Sequence, residues 1–183
     1  MSLLTTMSHL TAKNEWSIAV DDMLHQLVDD GFAFHVCGER LDPVVLVASY
    51  YWKSHVDLLT ITGPDSVTAA RALREPDLDV FNPGSVIWAY GNEAETTLRA
   101  LLNLIHPDHP DHPVAATAPP RLMIVPAWLQ RPVTFKAAES WKVGNRARRL
   151  EAALASELVA MEAAGLLDEE SRGGMHSTPG SAA

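Results

Sequence analysis

The sequence predicts an α+β fold with a single, mainly antiparallel sheet covered by helices and a long helix near the C-terminal end. Apolar residues recur at helical spacing over 14–30 and again from Asn145 onward. Between them, several short runs are rich in β-branched and aromatic residues, which is typical of strands. Two of these runs are separated by only Lys53 and Ser54, which predicts a hairpin.

Length and composition favour one folded domain over 14–166. The chain has 183 residues, 47% of them apolar and 20% charged, which is enough to bury one core. We expect residues 1–13 and 171–183 to be disordered. The first residues lack the pattern of a signal peptide, and no apolar run approaches the ~20 residues of a membrane span. With Cys37 as the only cysteine, a reducing cytoplasmic location without membrane partners is the simplest expectation.

The first half of the chain reads as one helix and three strands. The helix over 14–30 ends at Gly31, and "FAFHVC" over 32–37 alternates as a strand does. The runs "VVLVASYYW" over 44–52 and "HVDLLTIT" over 55–62 form the predicted hairpin.

Two similar segments follow, "GPDSVTAARAL" from Gly63 and "GNEAETTLRAL" from Gly91. Each comes after an apolar run and reads as an amphipathic helix, capped by Asp65 or Asn92. We therefore predict two strand-turn-helix units. Duplication and convergence of capping rules explain their similarity equally well.

The second half begins with a proline-rich connector over 106–120. The run "RLMIVPAWL" over 121–129 predicts an edge strand broken by Pro126. The segment from Asn145 predicts the strongest helix, whose stripe consists of Ala147, Leu150, Leu154, Leu158, Met161 and Gly165.

The connector contains "HPDHPDHP", in which His106, His109 and His112 recur every three residues. Proline at this period favours polyproline II, which would place the histidines ~9 Å apart on one face. One zinc ion needs nitrogens about 2 Å from a common centre, so we expect a stiff, solvated connector and no metal site.

Other motifs do not indicate catalysis or a cofactor. Gly63 and Gly91 belong to neither common nucleotide-binding pattern, and carboxylates follow both glycines. Cys37 and His35 stand ~7 Å apart along a strand, so a buried structural cysteine is the better interpretation. We predict no catalytic, cofactor-binding or metal-binding residues.

The charge distribution is uneven. The formal net charge is −9, but residues 121–150 carry seven Lys or Arg and one Glu, which defines a basic island from Arg121 to Arg149. Arg146, Arg148 and Arg149 crowd the N-terminal end of the last helix, opposite to what the helix dipole favours. An antiparallel copy of the same helix would compensate them, as would a nucleic-acid backbone or another acidic protein. Tolerance of salt-screened surface charges is the alternative.

These observations lead to three functional hypotheses. The first is a non-enzymatic protein-binding, adaptor or chaperone-like module, either homodimeric or bound to another protein. Its candidate contact residues are Arg146, Arg148, Arg149, Leu150, Leu154, Leu158, Tyr50, Trp52 and Trp88. The second is a small enzyme or ligand-binding protein with a site on the sheet face near His35, His55, Asp57 and Trp88. The third, which the acidity disfavours, is a nucleic-acid-associated regulator using Arg121, Arg131, Lys136, Lys142, Arg146, Arg148 and Arg149.

The element order and acidity resemble those of small dimeric chaperones of the type III secretion kind. This resemblance is one of architecture, and it implies a dimer that holds an unfolded segment of a client protein.

Overall fold

The computed structural model describes residues 16–39, 42–136 and 144–164. The described elements, in chain order, are α1 (Ile18–Asp30), β1 (Ala33–Glu39), β2 (Asp42–Tyr51), β3 (His55–Gly63), β4 (Ser66–Leu73), β5 (Trp88–Asn92), α2 (Ala94–Leu102), β6 (Val133–Phe135) and α3 (Asn145–Ala163). Two short 3₁₀ turns, Arg121–Met123 and Ala127–Leu129, lie between α2 and β6. The proposed disordered termini, 1–13 and 171–183, lie outside the described residues.

The six strands form one antiparallel sheet in the order β5-β4-β3-β2-β1-β6. Strands β1 to β5 follow one another as a meander, and the chain then returns across the sheet to place β6 beside β1. The α+β prediction with a single antiparallel sheet and a C-terminal helix is confirmed.

The two faces of the sheet are covered differently. On one face, α1, α2 and the start of α3 pack on alternate residues of the strands, with Phe34, Leu46 and Leu59 among them. On the other face, the segment around the 3₁₀ turns inserts Met123, Val125 and Leu129 into the remaining apolar surface. Helices therefore cover one face, and irregular chain covers much of the other.

The early predictions hold closely. Helix α1 begins after Ser17, whose side chain accepts a hydrogen bond from the backbone N–H of Val20, and ends at Gly31 with a φ of 96°. Strand β1 pairs with β2, and β2 pairs with β3 across the turn at residues 52–54, so the predicted hairpin is confirmed.

The prediction of a helix from Gly63 is wrong, because Ser66–Leu73 is strand β4. The small side chains of this segment are buried on both sides of the sheet, with Val67 and Ala69 toward the helices and Ala70 toward the other face. A strand that is covered on both faces lacks the inside-outside alternation of a half-buried strand, which is why this segment resembled a helix.

The second unit, from Gly91, does become a helix, α2, but its cap differs from the prediction. Gly91 and Asn92 lie at the end of β5, and Glu93 occupies the N-cap position without a side-chain hydrogen bond. Asn92 instead accepts a bond from the Glu93 N–H through Oδ1 at 2.9 Å. The two similar segments therefore adopt different structures.

The predicted edge strand over 121–129 is also wrong. Its residues form the two 3₁₀ turns, each starting after a proline, Pro120 or Pro126. The prolines remove ladder donors and fix φ, so the inside-outside alternation remains but strand pairing does not. The edge strand next to β1 is β6, which the sequence analysis did not predict.

Candidate functional site

A buried ion cluster lies where the sheet meets α3. Asp57 on β3 and Arg71 on β4 are direct cross-strand neighbours, and both are fully buried. The Arg71 guanidinium donates to both carboxylate oxygens, with Nε 2.5 Å from Oδ1 and Nη2 3.0 Å from Oδ2. This bidentate geometry is the strongest form of an arginine-carboxylate pair.

A second arginine reaches the same carboxylate from α3. Arg146 is fully buried, and its Nε and Nη2 lie 3.1 Å and 3.0 Å from Asp57 Oδ2. The indole N–H of Trp52 donates to the same oxygen at 2.9 Å. Asp57 therefore accepts five hydrogen bonds, more than the roughly four acceptor positions of a carboxylate.

The cluster continues to the C-terminal end of α1. Asp30 Oδ2 lies 2.6 Å from Arg149 Nη2 and 3.6 Å from Arg146 Nη1. Arg146 Nη2 also donates to the carbonyl of Leu101 at the end of α2. The arginines of α3 thus join all three helices to the centre of the sheet.

The arginines keep Asp57 ionised. Burial by itself would raise the pKa of Asp57, but the charge of Arg146, the hydrogen bonds and charge of Arg71 and the bond from Trp52 outweigh burial and lower that pKa. Proton transfer to this carboxylate is disfavoured, because it would lose the charge that both arginines stabilise. The cluster is therefore suited to holding segments together.

An open cleft of about 600 Å³ lies beside this cluster. Part of its wall is formed by Trp52, which donates to Asp57, and by Ala147, which follows Arg146 in the sequence. Lys53, Asp108 and Glu151 supply charges of both signs. Its lining residues are Tyr50, Tyr51, Trp52, Lys53, Ser54, His106, Pro107, Asp108, Ala147 and Glu151. The small-ligand hypothesis named His35, His55, Asp57 and Trp88, and none of these residues is among those that line the cleft.

The histidine repeat does not form the expected solvated polyproline segment. The N–H of His109 donates to the carbonyl of His106, and the N–H of His112 to that of His109, which makes two consecutive turns. Each turn has proline at its second position, where the fixed φ of proline favours a turn. All three histidines are buried, so the connector packs on the body of the protein through them.

Each of these histidines has a different environment. His106 packs edge-on against Trp52, and His109 Nε2 lies 2.8 Å from a carboxylate oxygen of Glu157 on α3. His112 packs against His55 with ring centroids 4.9 Å apart, and its buried Nε2 has no hydrogen-bond partner. Burial and the nearby charges of Arg71 and His55 lower the pKa of His112 to about 4.

Within the described residues, no group of three or more His, Cys, Asp or Glu side chains is arranged to hold a metal ion. Cys37 is buried, and burial raises the pKa of its thiol to about 11. His35 lies between Thr134 and Ser49, and burial together with the charge of Lys136 lowers its pKa. In the same described parts of the chain, no helix is long and apolar enough to cross a bilayer.

A separate feature of the surface is an apolar ridge, which consists of Leu122, Ile124, Pro126 and Trp128. These four side chains are exposed, while the interleaved Met123, Val125 and Leu129 are buried beneath them. Trp128 is 75% exposed and Leu122 60%. Exposed large apolar groups clustered in one short segment often mark an interaction surface.

The structure separates the residues expected to contact a partner. Arg146 and Leu150 are buried at the base of α3, and Tyr50 and Trp52 are buried in the core beneath the helices. The remaining candidates are more accessible: Arg148 is exposed, Arg149 is paired with Asp30, and Leu154, Leu158 and Trp88 are half-buried.

This placement corrects two expectations. Helices cover most of the aromatic face of the hairpin, and the small exposed parts of Tyr50 and Trp52 belong to the wall of the cleft. The basic island is not a continuous surface, because Arg146 faces Asp57 in the interior; Lys142 lies outside the described residues. The compensation that the arginines require comes from within the chain, through Asp57 and Asp30.

The sequence contains signals for the ion cluster and for the apolar ridge. Asp57 interrupts the apolar run over 55–62, and a charge inside such a strand indicates a buried partner. Its partner Arg71 was missed because the segment was assigned to a helix, which hides the cross-strand register. The ridge was missed because its alternation was interpreted as a strand.

Comparisons with protein-family models, curated proteins and solved structures found no match for this chain. The resemblance to type III secretion chaperones therefore gains no structural neighbour to support it.

Proposed function

We propose that the protein is a non-enzymatic protein-binding module that contacts its partner through the ridge. The observation that carries this proposal is the 75% exposure of Trp128 among other exposed apolar side chains on a well-anchored segment. Tryptophan is the residue most enriched at the energetic centres of protein interfaces. The single cysteine, Cys37, is buried and free, which fits a cytoplasmic location.

The anchoring of the ridge supports a binding role. The N–H of Val125 donates to the carbonyl of Phe81 at 2.8 Å, and Gln130 Nε2 donates to the carbonyl of Val125 at 2.7 Å. Met123 and Leu129 are fixed in two separate apolar clusters below. A surface already held in place loses little conformational entropy on binding, which favours affinity.

The environment of the buried ion cluster supports a non-enzymatic role. The carboxylate of Asp57 is fully buried and faces two arginines and Trp52, so it is not exposed to a substrate in solution. The ion cluster instead explains how α3 is held on the sheet.

Site-specific photo-crosslinking tests the proposal. A benzophenone amino acid at position 128 should form a discrete protein adduct in the source cells, and the same amino acid at exposed position 53 should not. An adduct at twice the chain mass would identify a second copy as the partner. Equal labelling at both positions, or no adduct at position 128 in a folded protein, would refute the ridge as the binding surface.

Homodimerisation through α3 is a second candidate. The apolar stripe of α3 continues past the buried Leu150 to the half-buried Leu154, Leu158 and Met161, and the residues between them are exposed. A second copy of the helix would cover the rest of this stripe, as an isologous pair permits.

Light scattering coupled to gel filtration tests this candidate. Leu158→Glu should convert a dimer to a monomer, whereas Ala160→Glu, which places the same charge on the exposed opposite side of α3, should not. A monomeric parent protein at 100 μM, or a dimer unaffected by Leu158→Glu, would exclude α3 as a dimer interface.

A further inference from the structure

We infer that the partner of the ridge is an acidic protein segment that carries apolar anchor residues. This inference rests on the proposed function and adds the chemistry of the partner. The apolar side chains of the ridge would contact the apolar anchor residues of the partner. The charged residues around the ridge would favour a partner of opposite charge.

The charged side chains next to the ridge in the sequence are positive, whereas the net charge of the chain is negative. From Pro113 to Lys136 the sequence contains no aspartate or glutamate, although the chain carries a net charge of −9. Arg121 and Arg131 bracket the ridge, Lys136 follows β6, and all three are exposed. The ridge is therefore flanked by cations on a protein that otherwise repels acidic partners.

Neighbouring segments change this balance only in part. The loop that reaches the ridge through the Phe81 carbonyl carries three exposed carboxylates, Glu75, Asp77 and Asp79, and the exposed Arg74, a net charge of −2. The three exposed cations of the ridge segment exceed this charge by one. Basic side chains on a partner would meet like charge at both ends of the ridge.

The apolar character of the ridge favours a protein partner over a nucleic acid. Single-stranded nucleic acids stack successive bases on several aromatic side chains, whereas the ridge has one aromatic residue among Leu122, Ile124 and Pro126. Affinity for a polyphosphate or an anionic bilayer depends mainly on many cationic contacts, and the ridge segment supplies three cations. A peptide with apolar anchors would also use the apolar side chains of the ridge.

A displayed library of random 16-residue peptides provides the test. It is selected on the full-length protein and counter-selected on the Trp128→Ser variant, which circular dichroism must show to be folded. We expect the selected peptides to be enriched in Asp and Glu together with Leu, Phe or Trp. Their affinity should fall at least tenfold for the Arg121→Glu/Arg131→Glu variant, since like charges then face each other.

Lys53→Glu is the matched control, because it removes an exposed cation that lines the cleft instead of the ridge. It should bind the selected peptides as the parent protein does. The dissociation constant should also rise by about tenfold or more between 50 and 500 mM salt, as screening of exposed charges requires.

The outcomes separate the two proposals. Peptides that need Trp128 but are neutral or basic would leave the binding module in place and overturn the acidic partner. Absence of any Trp128-dependent peptide would overturn both. Trp128-dependent binding of a 20-nucleotide single strand or of vesicles with 30% anionic lipid, tighter than any selected peptide, would overturn the choice of a protein partner.

Discussion

Replacement of Asp57 by asparagine should destabilise the protein strongly. The change is nearly isosteric but, among the described residues, removes the one negative charge that contacts both Arg71 and Arg146, which are fully buried. Arg146 would retain Asp30 at 3.6 Å. Arg71 would retain the carbonyl of Ile105, the ring of Trp52 and a neutral amide oxygen, but no carboxylate among the described residues. Leaving a buried charge without its partner costs about 3–5 kcal/mol.

The loss of stability in Asp57→Asn can be compared with the loss caused by removing one of the two arginines. Arg146→Met leaves the bidentate pair of Asp57 and Arg71 intact, so no buried charge loses its only opposite charge. The change removes two of the five hydrogen bonds to Asp57 and leaves the Leu101 carbonyl without its Arg146 donor, and an unsatisfied buried acceptor costs about 1–3 kcal/mol. Asp57→Asn should therefore be the more destabilising change, although it alters fewer atoms.

Urea denaturation followed by circular dichroism at pH 7 measures these differences. For a chain of this size, about 3–5 kcal/mol corresponds to a fall in Tm of roughly 6–20 °C. Asp65→Asn, at an exposed turn position, is the matched control and should change stability by less than about 0.5 kcal/mol. The reasoning is wrong if Asp57→Asn behaves like this control, or if Arg146→Met costs more than Asp57→Asn.

Three further predictions concern pH, the thiol and one glycine. Because the folded protein holds the pKa of His112 at about 4, below the unfolded value of 6.5, stability should fall as pH drops from 6.5 toward 4, by at most about 3 kcal/mol; His112→Phe should flatten this profile in urea titrations at pH 7.0, 5.5 and 4.5. Cys37, buried with a pKa of about 11, should not react with Ellman's reagent until the protein is unfolded, and rapid reaction of the native protein would contradict its burial. Gly38→Ala should lower stability by about 1–3 kcal/mol, since φ is 105° and a Cβ would lie 2.9 Å from the backbone nitrogen of Val44, whereas Gly63→Ala, which meets no atom within 4 Å, serves as its control in thermal melts.

The sequence was sufficient to predict α1, β1 and the hairpin of β2 and β3, because their signals are local. Gly31 ends the helix, and strict alternation marks β1. The segment of β4 could not be assigned in this way, because Val67–Ala72 is buried on both faces of the sheet and lacks the alternation that marks a half-buried strand. Its residues have high helix propensity, but pairing with β3 outweighs that preference.

The candidate sites depend on distances that local patterns do not give. Asp57 and Arg146 are 89 residues apart in sequence, so only the three-dimensional structure shows that they meet. The histidine repeat illustrates a different difficulty. Proline every third residue is compatible with an extended helix and with a series of turns, and burial of the imidazoles favours the turns in this protein.

The ends of two helices explain the unusual arginines of α3. Helix α3 begins with arginines and no acidic residue, and α1 ends with Asp29 and Asp30 and no basic residue, so each end carries charges of the sign that its dipole disfavours. The structure brings these ends together, where Arg149 and Asp30 lie 2.6 Å apart. Each unfavourable dipole interaction is worth about 0.3–1 kcal/mol, which is less than the cost of separating charges that are already paired and partly buried. A partner that required Arg146 or Arg149 would first have to detach α3 from Asp30 and Asp57. The exposed ridge has no such cost, and this difference favours it as the surface that contacts other molecules.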